Sequence, residues 1–594
     1  MNAFGASLRD GDVTFRVWAP RCRTLDVVLD GRAPVPMRGD GGVFELTMSG
    51  VPAGTRYQYR LDGERYRPDP VSRWQPEGVH GPSVVVDEKS FAWTDAGFGG
   101  HALADLVFYE LHVGTFTHAG TFEAVIPHLD ALRDLGITAI ELMPVAEFPG
   151  SRNWGYDGVH LYAPQSTYGG PRGLRRLVDA CHARGLSVIL DVVYNHLGPE
   201  GNYLAEYGPY FTDRYKTPWG AAVNFDGPDA GGVRRHFVDN ARYWVREFHV
   251  DGLRLDAIHA IFDSSPRHIL TEIADAVHEE AARLGRRGHV IAESHDNDRH
   301  IVLPRDAGGL GLDAVWSDDF HHAVHVRLTG ERDGYYMDFT DPSYLPRAIA
   351  EGFAFQGQHA EYFGRERGTP SADLEGERFV VAIQNHDQVG NRAQGERLST
   401  LVGFEAAKLA AGLLFVTPAL PLLFMGEEYG ETAPFLFFTS FLDPRLGEAV
   451  RRGRAAEFAR FAWKQAVPDP TAPSTFVTSR LNHALASAPR HRALREYYQR
   501  WLTLRRTHPA LGARGKQRTT AALDPDGAEL TVTRTAPTGE TVRLVANLTG
   551  GRRRWPEGAE PARMLIDSAD PRFGGPLRPV PLEPYQVLLY ELTR

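Results

Sequence analysis

Four apolar runs that each end in acids, histidines or an arginine constrain this chain more than any other feature: 191-DVVYNH-196, 251-DGLRLD-256, 290-VIAES-294 and 381-VAIQNHD-387. In a parallel barrel of eight strands and eight helices the strand ends open on one face, so residues distant in sequence meet over one ligand. From Leu106 onward the chain supplies that pattern. Strands are predicted at 106-LVFYELHV-113, 138-TAIELMPV-145, 187-SVILDVV-193, 252-GLRLD-256, 289-HVIAE-293, 313-DAVWS-317, 379-FVVAIQ-384 and 419-ALPLLFM-425, with amphipathic helices at 121–136, 172–185 and 233–248. Eight is the number that closes such a barrel. The expected class is therefore α/β, a (β/α)8 TIM barrel flanked by β-domains.

A chain of 594 residues exceeds one ordinary core. Residues 1–95 alternate with period two, Val13, Phe15 and Val17 on one face and Tyr57 with Tyr59 on another, which predicts an immunoglobulin-like β-sandwich. The barrel is assigned to 96–510. After a helix at 492–506, short strands at 529–535, 541–549 and 584–592 predict a C-terminal antiparallel β-domain over 511–594.

The net charge of −10 gives no reason to expect nucleic acid or an anionic membrane as partner. Cys22 and Cys181 fall in different predicted domains, so no disulfide framework is implied. The opening Met1-Asn2-Ala3-Phe4 lacks a basic stretch before an apolar core, and a cytoplasmic location is expected. The longest apolar run, 409-LAAGLLFVTPALPLLFMG-426, is interrupted by Pro418 and Pro421 and reads as a helix end passing into a barrel strand, not a membrane span. Asn547-Leu548-Thr549 matches a glycosylation sequon and is expected to be silent.

The chemistry lies at the strand ends. Arg254 and Asp256 are two apart on one strand and share a face, and a guanidinium favours the ionised carboxylate beside it. Glu293 follows Val290, Ile291 and Ala292, where burial favours the protonated form. One ionised and one protonated carboxyl are what glycoside hydrolysis requires. His386-Asp387 adds a third acid and an imidazole suited to sugar hydroxyls. Taken singly, Asp191 reads equally well as a helix cap, Asn195-His196 as a turn, His386 as a core histidine and Arg254 as a salt-bridge partner. The joint occurrence of four clusters with compatible roles separates the set from that reading.

These four segments resemble the signature regions of the α-amylase superfamily, glycoside hydrolase family 13, and the resemblance covers the whole chain. It implies Asp256 as nucleophile, Glu293 as general acid/base and Asp387 as transition-state stabiliser. Asp191, Asn195, His196, Arg254 and His386 are implied around the same sugar, and the turn 153-NWGY-156 is similar to the segment whose tyrosine, here Tyr156, stacks under it. A β-sandwich before the barrel narrows the group to isoamylases, glycogen branching enzymes and maltooligosyltrehalose trehalohydrolases. Three segments resemble the last of these: the linker 69-DPVSRWQPEGVHGPS-83, the fourth region 384-QNHDQVGNR-392, where branching enzymes show a Ser before the His-Asp pair, and the stretch 315-VWSDDFHHAVHVRLTGERDGYY-336.

The last stretch is expected as a loop after the sixth strand, offering Asp318, Asp319, Phe320, His321 and His322 to a bound sugar, with Gln388, Asn391 and Arg392 beside it. In 427-EEYGETAPFLFFTSF-441, Phe435 and Phe437 read equally as a product-side lining or as core. Ser440 stands where many relatives carry an acid, and 257-AIHA-260 lacks the Lys-His pair of α-amylases, so His259 is expected among altered leaving-group contacts.

The resemblance implies cleavage, with retention, of the α-1,4 bond adjoining the terminal trehalose of maltooligosyltrehalose. It implies no cofactor, and no calcium loop of the EF-hand type is visible. A maltooligosyltrehalose synthase is the implied pathway partner. The alternatives are a branching or debranching enzyme acting on α-1,6 linkages, and a glycan-binding member that has lost catalysis. The latter would be expected to lack one of the three acids.

Overall fold

The computed structural model describes residues 4–458, 467–554, 563–575 and 581–592, so Met1-Asn2-Ala3 of the opening segment lie outside the described residues. Period-two alternation builds the N-terminal region into two antiparallel sheets. One runs in the order Gly5–Arg9, Asp12–Trp18, Val43–Ser49, Arg38–Asp40; the other runs Val35–Pro36, Leu25–Leu29, Arg56–Leu61, Arg65–Arg67, with Ser83–Val84 paired to Arg56–Leu61. Val13, Phe15, Val17, Tyr57 and Tyr59 are buried as expected. The two tyrosine hydroxyls converge on Asp69 Oδ2 at 2.8 and 3.1 Å, and Asp69 Oδ1 accepts the Val71 N–H at 2.8 Å. The linker is thereby locked into the sandwich core.

The barrel closes as eight parallel strands: β1 Phe108–Leu111, β2 Ala139–Leu142, β3 Ser187–Val192, β4 Gly252–Leu255, β5 His289–Glu293, β6 Ala314–Trp316, β7 Phe379–Ala382 and β8 Leu420–Phe424. Pairing of Phe108 with Leu422 joins the last strand to the first. Phe108, Ala139, Ile189, Ile291, Ala314, Val380, Leu420 and Leu422 belong to one apolar cluster built from barrel strands, a packed core and not a pore. Seven of the ladders end a little before the predicted strands do, and β5 ends at Glu293 as predicted.

Two excursions escaped the sequence reading. Between β3 and β4 a hairpin, Phe211–Thr217 with Gly220–Val223, carries Trp219 at its tip, and between β6 and β7 a second hairpin joins Gln358–Ala360 to Arg365–Arg367. The first excursion leans on the sandwich. The Tyr207 hydroxyl donates to the Pro68 carbonyl at 2.8 Å, Glu206 receives Arg65 and Arg67 at 2.9 and 2.8 Å, and Tyr210 meets Trp18 edge-on at 5.3 Å.

The long apolar run forms helix Leu398–Val416 and, three residues later, β8. That helix is long and apolar enough to cross a membrane, but every residue from Ala406 to Val416 is buried in the protein. The terminal domain is a five-stranded antiparallel sheet in the order Thr519–Leu523, Glu529–Thr535, Thr541–Asn547, Val587–Glu591, Arg563–Asp567, two strands more than the sequence predicted. Buried Arg534 fastens it to the barrel by donating to the carbonyls of Val416, Thr417 and Leu511. Asn547 is buried and donates to Gly551 O and Glu583 O at 2.7 and 2.8 Å, so its amide is not open to a glycan. Both cysteines are free and buried.

At the opposite end of the barrel from the strand ends, Asp95 receives His182 and His249, each at 2.8 Å, and Arg286, while the other face of His182 meets Asp251 at 2.9 Å. Burial opposes both charges, yet the His182, His249 and Arg286 partners hold Asp95 well below the ordinary carboxylate value of 3.8, and the flanking carboxylates hold His182 above 6.5. The Asp95 contribution is present above the ordinary carboxylate range and lost as pH falls through its depressed value. The His182 contribution is complete below the ordinary imidazole value and lost as pH rises through its raised one. The clasp therefore stabilises most in mildly acidic solution. Asp95→Asn leaves buried cations without their counter-charge and is expected to cost about 3–5 kcal/mol. Urea unfolding of both proteins at pH 6 measures it; equal midpoints and slopes would contradict the assignment.

Candidate active site

Strand register places Asp191 directly opposite Arg254 and Glu293 directly opposite Trp316. The four predicted clusters thus meet over one barrel mouth, and the centre of the meeting is Arg254. Its side chain is fully buried. Nη1 donates to both oxygens of Asp191 at 3.0 and 2.9 Å and to Asp256 Oδ1 at 2.9 Å, and the guanidinium lies 4.3 Å from the centre of the Trp316 ring. Burial opposes its charge, but Asp191, Tyr156, Asp256 and Glu293 together outweigh it.

Asp256 stands one residue past β4. Its second oxygen accepts from Asn195 Nδ2 at 2.7 Å, so both oxygens face donors, the arrangement that suits a carboxylate. The next residue, Ala257, is left-handed at φ 41°, φ/ψ space that a residue with a Cβ seldom occupies, and this turn delivers its N–H to Glu293 Oε2 at 2.6 Å. Burial raises Glu293 to about 8, with Asp256, Asp318 and Asp387 adding to the rise and Arg254, 3.9 Å away, opposing it. A carboxylate position with donors on both oxygens and a proton-bearing carboxyl therefore share a wall.

Asp387 lies in the first turn of the short helix His386–Gly390, with Asn385 as its cap. Its carboxyl is half-exposed to the cleft, touched by Asn391 Nδ2 at 3.2 Å. The Tyr156 hydroxyl lies 2.7 Å from Asp191 Oδ2 and 2.8 Å from His386 Nε2. Gly155 permits this: at φ 109° an added Cβ would strike the Pro144 carbonyl, so only glycine lets the turn swing Tyr156 inward. His196 bonds Asn195 and the Tyr156 carbonyl, and its ring stacks 5.3 Å from Trp219. His259 packs 3.9 Å from His295 and is kept below the ordinary imidazole value by burial; its Nδ1 meets no protein partner among the described residues.

The stretch after β6 departs from expectation. It is a helix, Asp318–Thr329, not a loop, so only residues three or four apart share a face. Asp318 stays in the cleft group: it accepts from Gln388 Nε2 at 3.1 Å and is raised to about 6 by burial and by Asp387. His322 and Gln388 each leave one buried polar atom without a protein partner among the described residues. Asp319, Phe320 and His321 are corrected. Asp319 is an internal strut, paired with Arg367 at 2.8 Å and accepting the N–H groups of Ala354 and Phe355. Phe320 is core, and His321 is spent on the Ile383 carbonyl and the Tyr336 hydroxyl. Arg392 is likewise corrected, since Glu331 takes its guanidinium in a bidentate pair at 2.7 and 2.9 Å. Asn391 bridges Asp387 and Arg454.

Phe435 is core, stacked 5.1 Å from Trp154, whereas Phe437 is only half-buried. Ser440 has a role after all: its hydroxyl accepts the N–H groups of Ser151 and Arg152 at 3.0 and 2.9 Å, tying down the approach to Tyr156. The sequence reading missed Glu110, which binds His386 from β1, and Trp219, which roofs His196. Glu110 had a signal, an acid in an apolar strand. Trp219 sits on a short irregular hairpin and had none.

Comparison with known proteins agrees with this geometry. Residues 88–218 match the family model described as "Alpha amylase, catalytic domain", and residues 3–74 match "Carbohydrate-binding module 48 (Isoamylase N-terminal domain)". The malto-oligosyltrehalose trehalohydrolase of Saccharolobus solfataricus is 49% identical over 81% of this chain and 83% of its own length. That of Brevibacterium helvolum is 40% identical over 96% and 98%. The 1.4 Å crystal structure of an alpha amylase candidate from Salmonella typhimurium superposes with a TM-score of 0.91 at 42% identity, covering all of both chains. With its eight-stranded barrel, its three converging acids and relatives of this identity over most of its length, the chain belongs to the malto-oligosyltrehalose trehalohydrolase family of the α-amylase superfamily.

Proposed function

We propose that this protein hydrolyses the α-1,4-glucosidic bond adjoining the terminal trehalose of maltooligosyltrehalose, releasing trehalose and a maltooligosaccharide. The observation that carries the chemistry is the pairing at one guanidinium of Asp256, with donors on both oxygens, and Glu293, raised to about 8. The preference for trehalose rests on the trehalohydrolase relatives. Glu293 protonates the departing oxygen on the trehalose side while Asp256 attacks the anomeric carbon, giving a β-glucosyl ester on the enzyme. Water then enters with Glu293 as base, and two inversions give net retention. Asp387 stabilises the oxocarbenium-like carbon, Tyr156 supports the sugar ring, and Asp191, Asn195, His196, Arg254 and His386 hold the acids and the sugar hydroxyls. Asp318, Gln388, His259 and His322 are assigned to the product side, where three of them carry polar atoms without a protein partner among the described residues.

The domain limits proposed with this reading are 1–95, 96–510 and 511–594. A maltooligosyltrehalose synthase would supply the substrate without need of contact, in the cytoplasm, in keeping with two free thiols. Branching or debranching is the lesser reading, since the curated relatives above are trehalohydrolases. A catalytically silent role is unsupported while all three acids stand at the cleft.

Asp256→Asn and Glu293→Gln should each lower turnover roughly a thousand-fold or more while melting like the parent; near-normal activity in either removes the assignment. Because the acid must carry its proton, kcat/KM should fall as pH rises through about 8, the value for Glu293. A profile flat to pH 9.5 would place the proton elsewhere. The sugar released from the glucan side should appear first as the α-anomer by NMR, and β-anomer would contradict retention.

Maltooligosyltrehalose should be cut much faster than a maltooligosaccharide of equal length, because a pocket built for hydroxyls discriminates against ligands that leave its polar groups unpaired. Asp318→Ala should narrow that ratio more than it weakens binding of the glucan side. Equal rates on both substrates would end the trehalohydrolase reading and leave the glycosidase chemistry intact, while preference for a branched glucan would promote the lesser one.

A further inference from the structure

We propose that Glu110 is a positioning residue that holds His386 as an imidazolium on the wall of the sugar pocket. Counting protons at three contacts leads there. The Tyr156 hydroxyl, with one proton to give, lies 2.7 Å from Asp191 Oδ2 and 2.8 Å from His386 Nε2. Asp191 receives Arg254 on both oxygens and, raised by burial only to about 6, is a carboxylate at neutral pH, so it takes the tyrosine proton. His386 Nε2 must then donate to the tyrosine oxygen. On the other side of the ring, Glu110 Oε2 accepts the His386 backbone N–H at 3.0 Å and Oε1 faces Nδ1 in a short contact, so Nδ1 must also donate. Both ring nitrogens carry protons.

The charge has a source on only one of the first two strands' side chains. Of the groups that face His386, His112 at the end of β1 is driven down to about 4 by burial and is neutral. Glu141 on β2, the register neighbour of Glu110, is pushed well above the ordinary carboxylate range by burial and by Glu110. Asp191 on β3 is already shared with Arg254 on β4, and Asp387 is 3.6 Å from Nε2 but half-exposed. The rings of Trp154, Tyr156 and Trp316 supply no charge. Burial alone would depress His386; Glu110 first and Asp387 second bring it to about 9. With Nδ1–H on Glu110 and Nε2–H on Tyr156, the imidazolium holds the Tyr156 hydroxyl more strongly than a neutral imidazole would, and so fixes the ring proposed to support the sugar. Because that bond exists in the bound ground state as well as the transition state, its loss falls mainly on KM.

Glu110→Gln is nearly isosteric. Its amide can satisfy the backbone N–H only by presenting an NH₂ to Nδ1, which forces the ring into the neutral tautomer. The test uses full-length protein labelled with ¹⁵N-histidine, with the His386 signals identified by their absence in His386→Gln. In the wild-type protein at pH 7.5 both nitrogens should appear protonated and titrate together near pH 9; a neutral tautomer at pH 7.5 overturns the proposal. In Glu110→Gln the neutral tautomer should appear at pH 7.5, and a surviving imidazolium overturns it as well. Kinetically, KM for maltooligosyltrehalose should rise about ten-fold with a smaller change in kcat, partly restored by Glu110→Asp; an unchanged KM counts against it. This kinetic arm rests on the activity proposed above, whereas the NMR titration needs no substrate and decides the charge even if that activity fails or the Gln variant does not fold.

Discussion

One buried guanidinium organises the site. A charge the size of that on Arg254 is expensive to bury unless it is paired and hydrogen-bonded, and here two aspartates from neighbouring strands and the face of Trp316 supply the pairing. The register of β3 against β4 sets Asp191 beside Arg254, and the two-residue step along β4 sets Asp256 above it. Shift either strand by one residue and the guanidinium would face an apolar side chain. The meeting of Asp191 with Arg254 is thus an expression of the barrel's register, while the turns beyond the strands bring Ala257, Tyr156 and Asp387 to it.

Around that cation the protein packs five carboxyls, and burial sorts them. Glu293, raised to about 8, holds a proton at neutral pH; Asp191 and Asp318, raised to about 6, do not. The contrast between Asp191 and Glu293 follows the donors each receives. Asp191 takes the guanidinium on both oxygens and a tyrosine hydroxyl, while Glu293 has one backbone N–H and only a distant view of Arg254. Acid and base character in one small volume needs no metal-like centre, only unequal access to hydrogen bonds.

Much of this was legible in the sequence, because strands that end in Asp191, Asp256, Glu293 and Asp387 announce themselves through apolar runs with a polar terminus. All eight barrel strands are legible as short apolar runs set between helical segments. What stayed hidden depended on secondary structure between strands. Read as a loop, 318–322 offers every side chain to the ligand; folded as a helix, it turns Asp319, Phe320 and His321 into the protein. Arg392 was hidden because its partner Glu331 lies 61 residues earlier and carries no pattern to link them. The hairpin bearing Trp219 has too little apolar alternation to register as strands at all.

The contacts between Glu206, Tyr207, Tyr210 and the first domain change how that domain is to be regarded. Homology names it a carbohydrate-binding module, a part that ordinarily can be moved between proteins. Here it is a buttress: it props the excursion whose far end is the Trp219 roof over His196, and through Asp69 it gathers the linker into its own core. Exchanging this module for another would therefore take away the prop behind one wall of the active site, and not merely a binding surface beside it.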